Sequence, residues 1–341
     1  MQLFIKRKKV CKLINETIDF VVTWVDGLDK EWQNKRKQYL PENEQMNSEI
    51  RFRDYDTLKF WFRLVEKHAP WVNKVYLITD NQVPKWLDTS QKQIICVDHQ
   101  DYIPKKYLPT FNSNVIELNL DKIDTLSEKF VLFNDDVFLN KSVVPEDFFL
   151  NGVPKDFGIL SPIVPEEKAI SHIEVNNIEI INKYFDKKRV LKANLNKFFT
   201  IKYGKNLIRT LSLLPYPKFN GFFAPHVCQP HLKSNFTDLW KKEFSRCDLT
   251  SRNRFRTERD INHWLIRYFN LCTGNFVPQS RNFGSYFELD DIEGIKKELL
   301  LEKSKLICIN DSEKITAFDE KKQELHDILV EKVSQKSHFE I

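Results

Sequence analysis

Four short apolar runs, each closing on an acidic residue, constrain this chain more than any other feature. They are IDFVVTWVDG (18–27), NKVYLITD (73–80), KQIICVDH (92–99) and KFVLFNDDVFL (129–139). Each is nearly continuously apolar and rich in β-branched and aromatic residues, the pattern of a strand covered on both faces. Between the first two, DTLKFWFRLVEKH (56–68) spaces Leu58, Phe62 and Val65 as a helix does and stops before Pro70. Strands that alternate with helices predict an α/β fold, with a mostly parallel central sheet, Rossmann-like, and helices on both faces. Ligands of such sheets bind beyond the carboxyl ends of the strands. Asp26, Asp80, Asp98-His99 and Asp135-Asp136 are therefore expected along one edge, where a site belongs.

The remaining chain reads more coarsely. Residues 140–215 hold Pro145, Pro154, Pro162 and Pro165, then helical spacing near 172–184 and 189–213, and are expected to form a helical insertion. FNGFFAPHVCQPHLKSNFTDLWKKEF (219–244) reads as a loop entering a helix. TERDINHWLIRYFNL (257–271) reads as a helix with Thr257 as N-cap and Asp260 in a capping-box position. From 290 to 335 the pattern is charged and amphipathic around a strand-like KLICIND (305–311). The expected organisation is a basic segment over 1–17, a catalytic domain over 18–311 and a helical C-terminal tail over 312–341.

Composition excludes several functions. With 8 glycines among 341 residues, and neither G-x-G-x-x-G nor a P-loop, a glycine-rich phosphate cradle is not expected. Phosphate recognition would fall to metal ions, arginines or helix N-termini. The six cysteines show no C-x-x-C pairing and read as reduced thiols of a cytosolic protein. MQLFIKRKKVCKLIN is basic but lacks the apolar core of a signal peptide, and no run is long enough to cross a bilayer. The net charge of +5 suits an anionic ligand or a membrane surface. The local arginines and the lack of any recognised nucleic-acid module argue against a nucleic-acid partner.

Four groups of residues could carry chemistry. Asp135 and Asp136 offer hard oxygen ligands for Mg²⁺ or Mn²⁺, although paired acids in a turn also serve as caps. Arg51 and Arg53 in RFRD could clamp a phosphate or pair with Asp54 or Asp56. His226 and His231 in APHVCQPH could each supply a base or a structural hydrogen bond, and their spacing does not match a helical zinc pair. SRNRFRTERD places Arg256 just before the expected helix, where an arginine and a helix N-terminus together attract anions. From the residues alone, the reading is metal-assisted chemistry on a phosphorylated substrate.

The same blocks resemble the Stealth family. IDFVVTWVDGLDKEW (18–32) is similar to its opening block. RFRDYDTLKFWFRLVEKHAPWVNKVYLITDNQVPKWL (51–87) and LPTFNSNVIELNLDKIDTLSEKFVLFNDDVFL (108–139) resemble its second, and APHVCQPHLKSNFTDLWKKEF with RFRTERDINHWLIRYF (224–269) its third. ICIND (307–311) is similar to its fourth. The helix FWFRLVEKH departs from the Ser-Leu-Arg-Ser-like pattern common at that point of the second block.

The resemblance implies a nucleotide-sugar-transferase-like fold and a phosphotransferase of capsular or cell-surface polysaccharide. Such an enzyme moves hexose-1-phosphate from a UDP-hexose donor to a hydroxyl of a polysaccharide or oligosaccharide acceptor, releasing UMP. It implies that Asp135 and Asp136 hold Mg²⁺ and that Arg51, Arg53 and Arg256 clamp phosphate oxygens. Asp26 would sit by the nucleotide or metal, Asn134 would orient the acids, and His226 would line the substrate site. His231, or failing it Asp260, would take the acceptor's proton. The expected location is cytoplasmic, at the inner face of the plasma membrane. A metal-dependent glycosyltransferase releasing UDP is the nearest alternative, and a non-enzymatic surface protein a remote one.

Overall fold

The computed structural model describes residues 17–40, 52–167, 169–311, 315 and 317–341. Eleven strands are present among them: β1 Ile18–Thr23, β2 Val75–Thr79, β3 Ile94–Asp98, β4 Lys129–Asn134, β5 Val137–Leu139, β6 Phe149–Leu150, β7 Val153–Asp156, β8 Gln229–Leu232, β9 Val277–Pro278, β10 Gly284–Glu288 and β11 Leu306–Asn310. The central sheet has the order β3-β2-β1-β4-β8. Its first four strands are parallel, and β8 joins β4 antiparallel at the edge. Pro230 lies in β8, an edge position where its missing N–H costs the sheet least.

The apolar runs work as their continuity predicts. In β1, Phe20 and Val22 enter one core while Val21 enters the other, and β2 and β4 divide in the same way. The first core is closed by helices Leu58–His68, Ile292–Leu301 and Phe318–Lys332. The second is closed by helices Ser113–Leu118, Ser171–Tyr184, Lys233–Lys242 and Trp264–Thr273. Burying both faces of each central strand removes the solvent-facing alternative and fixes their register. Leu325, Ile328 and Leu329 pack in the first core, so the C-terminal helix is built into the same hydrophobic unit as the sheet.

Three expectations change. The expected 189–213 helix is a series of shorter pieces, Lys187–Ala193, Leu195–Phe198, a 3₁₀ segment Ile201–Asn206 and Leu207–Leu213. Gly204 at φ 52° breaks the run, a conformation open to glycine at little cost. Residues 140–170 carry β6 and β7 ahead of the helices. The helix expected from 257 begins at Trp264, because Asp260 is spent organising the turn before it. Residues 1–16, Cys11 and Arg51 lie outside the described residues; the other five cysteines are free thiols. No described helix is long and apolar enough to cross a membrane.

Candidate active site

The carboxyl ends of β1, β2 and β4 open into a cleft of about 580 Å³. β1 and β4 end in register at Thr23 and Asn134, so Trp24 and Val25 stand beside the turn that carries Asp135 and Asp136. That turn is short because the chain reverses at once into β5, which pairs antiparallel with β11, Val137 opposite Cys308. The amide of Ile309 donates to the Asp136 carbonyl at 2.9 Å, and Cys308 Sγ donates to Asp136 Oδ2 at 3.5 Å. A second, three-stranded sheet thus holds the acids from behind.

Asp135 and Asp136 line the cleft with Asn134, Arg53, Arg256 and His226. Burial, then the neighbouring Asp136 and Asp54, pushes the Asp135 carboxyl up to about 8. Burial pushes Asp136 up to about 6 against the opposing pull of its bond from Cys308. Asp136 Oδ1 is buried and accepts no hydrogen bond. Two crowded carboxylates with an unfilled oxygen fit a hard divalent cation, which would offset the cost of burying their charge. No group of three or more His, Cys, Asp or Glu side chains among the described residues forms a closed metal cage. A cation there would complete its shell with water and phosphate oxygens, the habit of Mg²⁺.

The cations are held by aromatic and polar neighbours. Arg53 pairs with Asp311, Nε to Oδ2 at 3.0 Å, and lies over the Phe318 ring at 4.5 Å. Phe255 stacks on Phe111 with centroids 5.2 Å apart, and the next residue, Arg256, donates from Nη2 to Ser113 Oγ at 2.6 Å. His226 has a left-handed backbone, φ 44°, and its ring packs on Tyr286 with centroids 4.9 Å apart. The crowded walls around it lower its pKa from the ordinary histidine value.

Comparison with known proteins decides the family. Residues 16–44 match Stealth protein CR1, conserved region 1, and residues 51–156 match Stealth protein CR2, conserved region 2. The chain is 49% identical over 329 residues to the capsular polysaccharide phosphotransferase WcwK of Streptococcus pneumoniae, covering 95% of this chain and 98% of that one. The chain belongs to the Stealth family. The exopolysaccharide phosphotransferase cps2G of Lactiplantibacillus plantarum is 42% identical over 325 residues, covering 95% of this chain and 96% of that one. A solved galactosyltransferase, LgtC, in complex with donor and acceptor sugar analogues, aligns with 94% of this chain and 98% of its own at 10% identity and a TM-score of 0.40. As a Stealth phosphotransferase, the protein is a transferase of phosphorus-containing groups.

Several expected site residues of this Stealth chain lie elsewhere. His231 is in β8, 1% exposed, packed between Phe130, Phe236 and His263, and is not among the residues lining the cleft. Burial first, then the His263 and Arg267 charges, holds it well below the usual histidine range. As the antiparallel partner of Phe130, its side chain is part of the sheet's second core. Asp260 is also enclosed. Its Oδ2 accepts from Asn112, Asn114 and the Thr257 amide, and its Oδ1 from Asn253 and the Thr257 hydroxyl. Those five bonds occupy the lone pairs a base would need. Asp26 is outside the cleft lining: its Oδ1 caps the Leu28 amide at 2.9 Å, and its backbone is bracketed by Gln82. Asp80 and His99, at the ends of β2 and β3, do line the cleft, as the edge pattern predicts.

Two residues that sequence reasoning passed over share the cleft wall. His263 Nδ1 and Glu117 Oε2 are 2.7 Å apart, and both side chains are buried. Glu117 comes from helix Ser113–Leu118 and His263 from the residue before Trp264–Thr273. The signal was present as the odd histidine in DINHW, but its partner lies 146 residues away and no spacing rule connects them.

Proposed function

We propose that the protein transfers hexose-1-phosphate from a UDP-hexose to a hydroxyl of a polysaccharide or oligosaccharide acceptor. The acceptor oxygen attacks the sugar-bearing β-phosphorus, the bond to the bridging oxygen breaks, and UMP leaves with that oxygen. The product is a phosphodiester in a capsular or exopolysaccharide, formed in the cytoplasm at the inner face of the plasma membrane. The observation that carries this reading is the Asp135–Asp136 pair, with its unfilled Oδ1, in one cleft with Arg53 and Arg256.

Asp135 and Asp136 hold Mg²⁺ or Mn²⁺ in this reading. When bound, the cation neutralises charge on the diphosphate. Arg53 and Arg256 orient phosphate oxygens through charge-assisted bonds. Asn134, exposed at the end of β4, contacts substrate beside them. His226 packs against the bound sugar or nucleotide. His263 replaces His231 and Asp260 as the group that takes the acceptor proton. Glu117 fixes its tautomer and stabilises the imidazolium that forms, the division of labour seen wherever a carboxylate orients a catalytic histidine.

The test is the nucleotide released from a panel of UDP-sugars with Mg²⁺ and a sugar acceptor. UMP that disappears when EDTA is added supports the proposal. UDP in its place would make the reaction a glycosyl transfer and sink it.

A further inference from the structure

Residues 187–218 read KKRVLKANLNKFFTIKYGKNLIRTLSLLPYPK and contain nine Lys or Arg and no Asp or Glu. The whole chain carries 53 basic and 48 acidic residues, so outside this segment the acidic residues outnumber the basic ones. Its inward side is ordinary core: Val190, Leu191, Phe198 and Leu213 pack in the second hydrophobic cluster. Lys187, itself buried, ties the end of the segment down through the carbonyls of Leu213 and Tyr216. The outward side is not ordinary. Ile201 is 92% exposed, Ile208 68%, Leu211 51% and Tyr216 54%. Ile208, Leu211 and Leu214 follow a three-residue spacing along helix Leu207–Leu213 and its end, while Thr210 and Leu213 between them are buried. Lys188, Lys192, Lys202, Lys205 and Lys218 are exposed in the same stretch.

We infer that this face docks on an anionic lipid surface. Large aliphatic side chains standing in water beside lysines are the composition of a helix that lies in a bilayer interface, with the apolar groups entering the acyl boundary and the cations meeting headgroup phosphates. A second copy of the chain fits poorly, because a two-fold contact would set the exposed lysines of this segment against themselves. An anionic polysaccharide would satisfy the lysines but leaves Ile201, Ile208 and Leu211 without an apolar partner. The segment is tied to the body of the protein: the Leu160 amide donates to Thr210 Oγ1 at 3.1 Å, and Arg209 Nη1 donates to Ser161 Oγ at 3.2 Å.

Flotation of the full chain with phosphatidylcholine vesicles, and with vesicles containing added phosphatidylglycerol, tests this. The expected result is binding only to the anionic vesicles, weakened by salt. Lys202→Ala/Lys205→Ala should lower partitioning roughly fivefold per lysine, and Ile201→Ser/Ile208→Ser should lower it by a similar factor at every salt concentration. Both variants change exposed side chains, and circular dichroism with phosphotransfer to a soluble acceptor verifies that they fold. A wild-type chain that ignores both vesicles overturns the inference. So does binding that both variants retain in full, which would place the contact elsewhere on the chain. Retention on an anionic polysaccharide without vesicle binding, or a dimer in sedimentation that Ile201→Ser/Ile208→Ser abolishes, would assign the face to another occupant and equally overturn it.

Discussion

Glu117 Oε2 lies 2.7 Å from His263 Nδ1 in the wall of the carboxylate cleft, with both side chains removed from bulk water. A carboxylate that engages one ring nitrogen leaves the other to do chemistry. His263→Gln is expected to lower kcat by about 10²–10⁴-fold with a far smaller change in donor KM. Glu117→Gln should lower kcat as well, since the imidazolium that forms loses its counter-charge. His231→Ala is expected to lower thermal stability through lost packing on Phe130 and Phe236. Its kcat per folded molecule should stay closer to wild type than that of His263→Gln. Steady-state kinetics on the three variants, paired with thermal melts, separates the roles.

The carboxylate pair predicts a pH-dependent metal affinity. Asp135 and Asp136, raised to about 8 and about 6, must lose protons to accept a cation. Mg²⁺ binding measured by calorimetry should therefore tighten as pH rises from about 6 to about 8 and level off above. The metal-free protein shows the opposite trend in this term. A carboxyl raised in the folded state binds more protons there than in the unfolded chain, so its contribution to stability is lost as pH rises toward the folded value. Asp136→Asn should make the metal-free protein more stable near pH 8 and abolish the rise in Tm on adding Mg²⁺.

Two buried histidines predict acid sensitivity. Burial first, then nearby Lys332 and Lys67, lowers His68 to about 4, and burial lowers His99 to about 4. Neither ring nitrogen of His68 has a hydrogen-bond partner. The folded state keeps both rings neutral, while the unfolded chain takes up protons below about 6.5. Their contribution to stability is complete above that pH and falls as pH drops toward about 4, by at most about 1.4 kcal/mol per pH unit for each ring. Denaturant unfolding at several pH values should give a shallower slope in this window for His68→Phe than for wild type. The opposing term from Asp135 is common to both proteins and cancels in the difference.

A buried ion pair sets a structural contrast to the cleft arginines. Arg267 Nε lies 2.7 Å from both oxygens of Asp156, and its Nη2 donates to the Phe223 carbonyl. Its side chain is 2% exposed. Arg267→Ala leaves the Asp156 carboxyl enclosed without its partner, and should cost about 3–5 kcal/mol of stability. Arg256→Ala, at the cleft, should cost little stability and raise the donor KM instead. Urea midpoints and kinetics on the same two proteins test both halves.

The central sheet was legible because its signal is local. Each apolar run reports its own burial, and each terminal acid its own strand end, so β1 to β4 and the shared edge emerged from the sequence one segment at a time. The pieces that escaped depend on distant partners. β8 holds Pro230 and reads as loop until β4 gives it an edge to pair with. His231 looked like a base because a loop histidine and a strand histidine have the same letter; only pairing with Phe130 turns it into the core. Asp260 was correctly placed against Thr257, yet the three asparagines that complete its shell lie as far as 148 residues away. The Glu117–His263 contact is of the same kind.

The backing of the carboxylate turn by β11 carries a consequence for how the protein is made. Cys308 and Asp136 are 172 residues apart in the chain, and the strand that braces the turn emerges from a ribosome long after the turn itself. Until then β5 has an open edge where β11 will pair. Synthesis thus leaves the Asp135–Asp136 turn without its bracing strand until nine-tenths of the polypeptide has been translated.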